Sequence, residues 1–326
     1  MAVTPTTRSD SAAADVDPAD VRSLARRGIE GRTDYHGPRI LRRLADGQRG
    51  GPYAHIEVRP SGPLIGAEIH GVDLRTPLSD EVFAELDRAL LEWKVLFFRD
   101  QDITAEQQRA FASRWGAIDG HPFLAPGTGE DVVRLEKGRQ NPGFENVWHF
   151  DFPWIERPPL GAVLRMVELP RGGGGDTLFT DAAAAYDNLP DEVKARIDGL
   201  RTVNDFTPSA NYRELMTDAQ RAHFQALYPP MEHPLVRTHP KTGRKTLFLT
   251  SIFTTHIVGL PADESEELLA YLFRQLEYPE YQVRFRWEEK SVAFWDNRAV
   301  QHYATSDYHP ERRVADRTAI AGDRPM

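Results

Sequence analysis

Residues 282–321 read QVRFRWEEKSVAFWDNRAVQHYATSDYHPERRVADRTAIA, and the fold turns on how this stretch is parsed. Runs rich in Val, Phe, Trp and Tyr recur at Gln282–Trp287, Ser291–Trp295, Val300–Ala304 and Val314–Ala321. Each is strand-sized and bounded by polar or turn-forming residues. Asp296-Asn297-Arg298 reads as a tight turn between two of them. Strand following strand in this way is not βαβ alternation.

Working outward, the upstream chain mixes strands with inserted helices. His55-Ile56-Glu57-Val58 and Ile65-Gly66-Ala67-Glu68-Ile69 alternate in polarity and read as strands. Ser79-Asp80-Glu81 opens an amphipathic helix to about Trp93, with its two acids at the positive helix end. Val95-Leu96-Phe97-Phe98 is a short buried strand. Thr104-Ala105-Glu106-Gln107 is a capping box that starts a helix to about Trp115. Further helices start at Pro190-Asp191-Glu192, stopping at Gly199, at the capping box Thr217-Asp218-Ala219-Gln220, and at Pro261, running to Glu277. No internal repeat occurs. The pattern predicts a mainly β protein with helical decoration (α+β), a sandwich or jelly roll.

Composition narrows the function. The 326 residues are 40% hydrophobic and 27% charged, which is ordinary for a globular chain able to bury a substantial core. A net charge of -9 argues against nucleic acid as a partner. With no cysteine, disulfides and thiolate metal sites are excluded, and any metal must take nitrogen and oxygen ligands. No apolar run reaches the roughly 20 residues of a membrane span. The start, MAVTPTTRSDSAAADVDPAD, lacks the apolar core of a secretory signal. These features predict a cytoplasmic protein without a membrane partner. Residues 1–52 are polar and poor in aromatics, and they predict a flexible N-terminal extension ahead of a domain spanning 53–326.

Trp148-His149-Phe150-Asp151 carries the chemistry. In an extended strand, residues two apart share a face, so His149 and Asp151 would present an imidazole and a carboxylate side by side. One more imidazole completes a 2-His-1-carboxylate triad, which binds Fe(II) by one face and leaves open positions. H-x-D alone recurs by chance, and eleven histidines are too many for counting to choose the third ligand. The candidate is His302, in an apolar-flanked strand after the 296–298 turn. Arg313 and Arg317, four apart, share a strand face. Two guanidiniums repel unless anions lie near them, and guanidinium binds carboxylates bidentately. Taken alone, such a pair reads more readily as two solvated surface arginines.

With these residues in place, the chain resembles the taurine dioxygenase (TauD/TfdA) family over about residues 53–326. The resemblance rests on blocks that agree in order: Trp148-His149-x-Asp151, Gly174-Gly175-Asp176-Thr177-Leu178-Phe179, His233-Pro234-Leu235-Val236-Arg237-Thr238-His239-Pro240, Phe253-Thr254-Thr255, and Trp295-Asp296-Asn297-Arg298 through Gly322-Asp323-Arg324-Pro325. It implies a double-stranded β-helix (a cupin-like jelly roll), Fe(II) on His149, Asp151 and His302, and 2-oxoglutarate and O₂ as cosubstrates. By position, Thr177 and Arg313 would hold 2-oxoglutarate. Arg317 and His121 would meet the anionic head of the substrate, and Phe253 would line its pocket. No catalytic residue beyond the metal ligands is implied, and Asp151 argues against a halogenase. The family also implies a homo-oligomer.

Three departures bear on the substrate. Leu124 stands where the taurine enzyme has a Tyr, Glu145 stands where it has an Asn, and Phe152-Pro153-Trp154 replaces a Val-Thr-Phe type sequence. Leu124 and Trp154 predict a more apolar substrate body, and Glu145 would suit an amine. The resulting expectation is hydroxylation of a small anionic substrate, a sulfonate or alkyl sulfate, with release of succinate and CO₂. The alternatives are a hydroxylase or desaturase of a carboxylate or amino acid in a biosynthetic pathway, and a non-catalytic metal-binding jelly roll.

Overall fold

The computed structural model describes Val21, Arg26–Arg27, residues 35–123 and residues 131–326. It divides into two units, Met1–Ile40 and Leu41–Met326. In the first, Arg26–Arg27 pairs antiparallel with Tyr35–His36. The second contains the elements described below. Its start precedes the boundary expected at residue 53, because residues 41–52 are held to the first long helix. The Arg43 guanidinium lies 4.5 Å from the Trp93 ring, and the Gly51 N–H donates to Glu92 at 3.3 Å.

The larger sheet orders Glu57–Pro60, Ala67–His70, Val95–Phe98, Val292–Asp296, Gly161–Glu168, Arg313–Ile320 and Ile118–Asp119, with Val133–Lys137 also on Arg313–Ile320. Neighbours run antiparallel except Ala67–His70 beside Val95–Phe98. A smaller sheet places Thr177–Asp181 between Gln282–Phe285 and Val300–Ala304. The apolar run Val95–Phe98 is explained by burial on both faces. Val95 and Phe97 point into the core between the sheets, while Leu96 and Phe98 point to a second core under the helices. Val292–Asp296 divides likewise, with Ala293 and Trp295 inward and Val292 and Phe294 toward the helices.

Aromatic contacts join the two sheets. Phe97 stacks on Phe285 with centroids 4.0 Å apart, and Phe179 packs on Trp295 at 5.8 Å. Each such ring contributes on the order of 2–3 kcal/mol by leaving water. Helices Asp80–Trp93 and Ala105–Ala112 cover the outer face of the larger sheet, capped by Ser79 and by the Thr104 box as expected. The second helix stops before Trp115, where Ser113 and Arg114 close the end in a turn. Two facing sheets with helices outside make the jelly roll predicted from the C-terminal strands. Among the described residues, no helix is long and apolar enough to cross a membrane.

Candidate metal centre and substrate pocket

His149 and His302 exchange backbone hydrogen bonds, the amide of each donating to the carbonyl of the other at 3.1 and 3.0 Å. This isolated antiparallel bridge sets their rings 4.1 Å apart. The H-x-D segment was expected to be a strand, and it is not one. Pairing ends at His149, and Phe152, with φ of 50°, turns the chain away before Pro153. Asp151 is aimed by a side chain instead of a ladder. Asn297, wholly buried in the 296–298 turn, accepts from the Asp151 amide at 2.8 Å. Its Nδ2 donates to the carbonyls of Asp151 at 3.2 Å and Pro159 at 3.1 Å.

This arrangement gathers His149, Asp151 and His302, with one donor atom from each within 4.8 Å of the others. The Nδ1–H of His149 donates to the Val147 carbonyl at 2.8 Å, which fixes the tautomer and leaves Nε2 with its lone pair. His302 Nε2 lies 3.8 Å from Asp151 Oδ1, a gap one ion with ~2.1 Å bonds can span. Burial pushes the His302 pKa down to about 3, helped by the neighbouring His149, so its ring is a neutral donor at pH 7. Burial alone would raise the Asp151 pKa. The Arg317 guanidinium and the two imidazoles outweigh that and hold it at about 2. Arg317 Nη2 lies 2.7 Å from Asp151 Oδ2, yet both atoms lack a partner of hydrogen-bond geometry among the described residues. A buried carboxylate oxygen satisfied by charge alone, beside two imidazoles, fits a divalent cation with nitrogen and oxygen preferences.

A second polar cluster lies on the adjoining wall. Arg313 sits on the buried strand Arg313–Ile320, and its Nε donates to the Gly175 carbonyl at 3.1 Å. Its Nη2 is buried with no hydrogen-bond partner among the described residues. Trp287 ties this cluster together. Its indole N–H donates to Thr177 Oγ1 at 3.0 Å, and its ring lies 5.9 Å from the Arg313 guanidinium. With one lone pair of Thr177 engaged, its own hydroxyl hydrogen can be offered to an anion. Gly175 has φ of 72°, and a Cβ there would come within 2.8 Å of Arg313 Cδ, so only glycine admits the arginine. A buried guanidinium beside a free hydroxyl donor fits a carboxylate. Sequence reasoning missed Trp287 and Asn297. The indole looked like the end of a core strand, and the amide looked like turn chemistry.

Both clusters open into one cavity of about 450 Å³. His121 and Arg317 line it beside the triad, and Phe152 lies 5.0 Å from the His121 ring and 5.1 Å from the Arg317 guanidinium. His121 Nδ1 accepts from the Phe123 amide at 3.2 Å, so the ring proton sits on Nε2, ready to donate. Burial and nearby Arg317 push its pKa down to about 4. The far wall is apolar. Tyr212 and Met216, at the helix Ala210–Leu215, and Phe224, on Asp218–Leu227, meet Phe253 there. Trp154 was expected to contact substrate, but it lies wholly buried behind that wall, stacked on Phe123 at 5.0 Å. Leu124 lies outside the described residues. Glu145 reaches the cavity, but its carboxylate is already engaged by Lys137 at 2.6 Å and by the Phe144 amide at 2.9 Å.

Comparison with known proteins agrees with this geometry. The sequence model of the family described as "Taurine catabolism dioxygenase TauD, TfdA family" matches residues 57–318. The chain is 34% identical to an "Alkylsulfatase" of Acinetobacter baylyi, over 83% of this chain and 87% of that protein. It is 35% identical to an "Alpha-ketoglutarate-dependent sulfate ester dioxygenase" of Pseudomonas putida, over 84% and 93%. Among solved structures, a taurine dioxygenase from Burkholderia xenovorans superposes with a TM-score of 0.71 at 39% identity, covering 84% of this chain and 93% of that one.

Proposed function

Since the chain belongs to the TauD/TfdA family of alpha-ketoglutarate-dependent dioxygenases, we propose that it hydroxylates a small organic sulfate ester or sulfonate at the carbon bearing the anionic group. The reading is carried by one observation: Arg317 lines the cavity while touching Asp151 at 2.7 Å. An anion held by that guanidinium therefore lies next to the triad. The C–H bonds nearest the metal position are then those one or two bonds from the sulfur.

His149, Asp151 and His302 would hold Fe(II), and Arg313 and Thr177 would hold the far carboxylate of 2-oxoglutarate. Together these groups supply the oxidising chemistry: one atom of O₂ ends in succinate as CO₂ is lost, and the other enters a substrate C–H bond. The protein's share is binding, orientation and exclusion of water. His121 Nε2–H and Arg317 grip the sulfur oxygens. The apolar wall around Phe253 and Met216 receives the hydrocarbon body. No residue needs to move a proton for C–H cleavage. For a sulfate ester, hydroxylation gives R–CH(OH)–OSO₃⁻, which collapses to the aldehyde, sulfate and a proton. A sulfonate gives aldehyde and sulfite likewise.

The test is a panel of alkyl sulfates, alkyl sulfonates, amino acids and aryloxy acids with Fe(II) and 2-oxoglutarate. Substrate-stimulated succinate and released sulfate or sulfite are both read. Arg317→Ala should raise KM for the active anion about a hundredfold, the scale for stripping one partner from a buried charge pair. Succinate stimulated by amino or aryloxy acids alone, with none from any sulfur anion, would overturn the head-group assignment.

A further inference from the structure

We infer that the Lys137–Glu145 ion pair is a specificity element that restricts this pocket to substrates without a cationic group. The inference rests on the anion-binding reading above and adds what the rest of the substrate must be. Lys137 stands directly opposite Arg313 on the antiparallel ladder, so both cationic side chains leave the same sheet face toward the cavity. Like charges directly opposite one another destabilise a ladder unless something compensates them. Glu145 compensates. Its Oε1 lies 2.6 Å from Lys137 Nζ, and its charge also acts on Arg313.

The pair is built in. Glu145 Oε2 accepts from the Phe144 amide at 2.9 Å, and its carbonyl accepts from the Ala304 amide at 3.0 Å. Lys137 Nζ sits 5.2 Å from the Phe144 ring, and the lysine side chain is 12% exposed. Gly143, with φ of 79°, turns the chain beneath the pair. A Cβ there would lie 3.1 Å from Glu145 Oε2 and 3.4 Å from Lys137 Cδ. Burial would raise the Glu145 pKa, and Lys137 overrides it. Both carboxylate oxygens are therefore engaged, and the ammonium of Lys137 already balances the charge that would draw in a second one.

Charge counting points the same way. The ionised residues lining the cavity are Asp151 and Glu145 against Arg313, Arg317 and Lys137. A divalent metal and the 2-oxoglutarate dianion cancel each other, leaving one positive charge. A substrate carrying one negative charge neutralises the pocket, and a zwitterion does not. The structure thus points to anions with an uncharged body, such as simple alkyl sulfates and sulfonates, over amino-sulfonates.

The experiment uses matched pairs of ligands on the full-length enzyme loaded with Fe(II) and 2-oxoglutarate. Propane-1-sulfonate is compared with 3-aminopropane-1-sulfonate, and hexanoate with 6-aminohexanoate. Anaerobic calorimetry gives affinity without turnover. Wild type should prefer the uncharged member of each pair. Lys137→Met, which frees Glu145, should narrow that preference about tenfold or more, the scale for unpairing a desolvated charge. Lys137→Met/Glu145→Gln, which removes both charges, should restore it. Equal wild-type affinity for both members, or a ratio unmoved by Lys137→Met, overturns the inference. Binding of carboxylates but no sulfonate overturns the head-group reading, while the carboxylate pair still judges the ion pair. If no anion of either kind binds any variant, both fall.

Discussion

Replacing Asn297 with Ala should cripple the metal site without touching a ligand. The side chain is wholly buried and makes three hydrogen bonds, at 2.8, 3.2 and 3.1 Å, to the backbone of Asp151 and Pro159. A net contribution near 1 kcal/mol per bond, plus the penalty for stranding the buried Asp151 amide, gives a loss of about 4 kcal/mol. The second effect is on the ligand itself. Asp151 has no strand ladder to aim it, so losing the amide clamp lets its carboxylate swing. Outer-sphere partners of this sort are typically worth about 10–100-fold in metal affinity. Stability would be followed by urea unfolding of metal-free protein, and affinity by anaerobic Fe(II) titration. Phe98→Ala is the control. It empties the helix-side core away from the site and should be destabilised by a similar ~3–5 kcal/mol. If Asn297→Ala loses no more metal affinity than Phe98→Ala, the clamp argument is wrong and the effect is general loosening.

Three more outcomes are expected. Trp287→Phe removes the donor to Thr177 but keeps a ring near Arg313, so KM for 2-oxoglutarate should rise several-fold with Fe(II) affinity unchanged; an equal loss of both would contradict the division into two clusters. Gly175→Ala forces a Cβ to 2.8 Å from Arg313 at a φ of 72°, which should destabilise by about 1–3 kcal/mol and weaken 2-oxoglutarate binding, both measurable by thermal shift with and without that ligand. Acid stability of the metal-free protein should be governed by histidines: burial pushes His121 and His233 down to about 4 and His302 to about 3. Between pH ~6.5 and 4 the unfolded chain takes up protons that the folded chain refuses, so stability falls with falling pH by about 1.4 kcal/mol per histidine per unit. Carboxylates such as Asp151, held at about 2, surrender their share only below the ordinary carboxylate range near 4. A flat unfolding free energy across that upper window would show that these rings are not buried neutral.

Much of the fold could be read locally. Val300–Ala304 and the Thr104 and Thr217 capping boxes appear as the residue pattern predicts, because strand period and cap chemistry are short-range properties. The two-sided burial of Val95–Phe98 likewise follows from its unbroken apolar run. What was not legible depends on long-range neighbours. The backbone of Asp151 takes its hydrogen bonds from a side chain 146 residues away, so no local pattern could reveal that H-x-D is not a strand. Alternation cannot say whether Trp154 faces a ligand or backs a wall, and stacking on Phe123 decides for the wall. Lys137 and Glu145 are eight residues apart and meet only because Gly138 and Asn141 bridge to fold the chain back.

The strand Arg313–Ile320 is fixed in place by its position in the larger sheet. All eight residues are buried, and neighbours are bonded along both edges. Its two arginines, four residues apart, therefore stand about 13 Å apart along the chain at the usual rise per residue. That spacing works as a ruler. With Arg313 and Arg317 in the roles proposed above, it would set how far the dicarboxylic acid and the sulfur-bearing partner sit from one another, whatever hydrocarbon joins the latter. The helices Ala210–Leu215 and Asp218–Leu227, which supply much of the greasy wall, belong to neither sheet. New bodies can thus be accommodated by redrawing those helices, while the calibration between the two charged ends stays fixed.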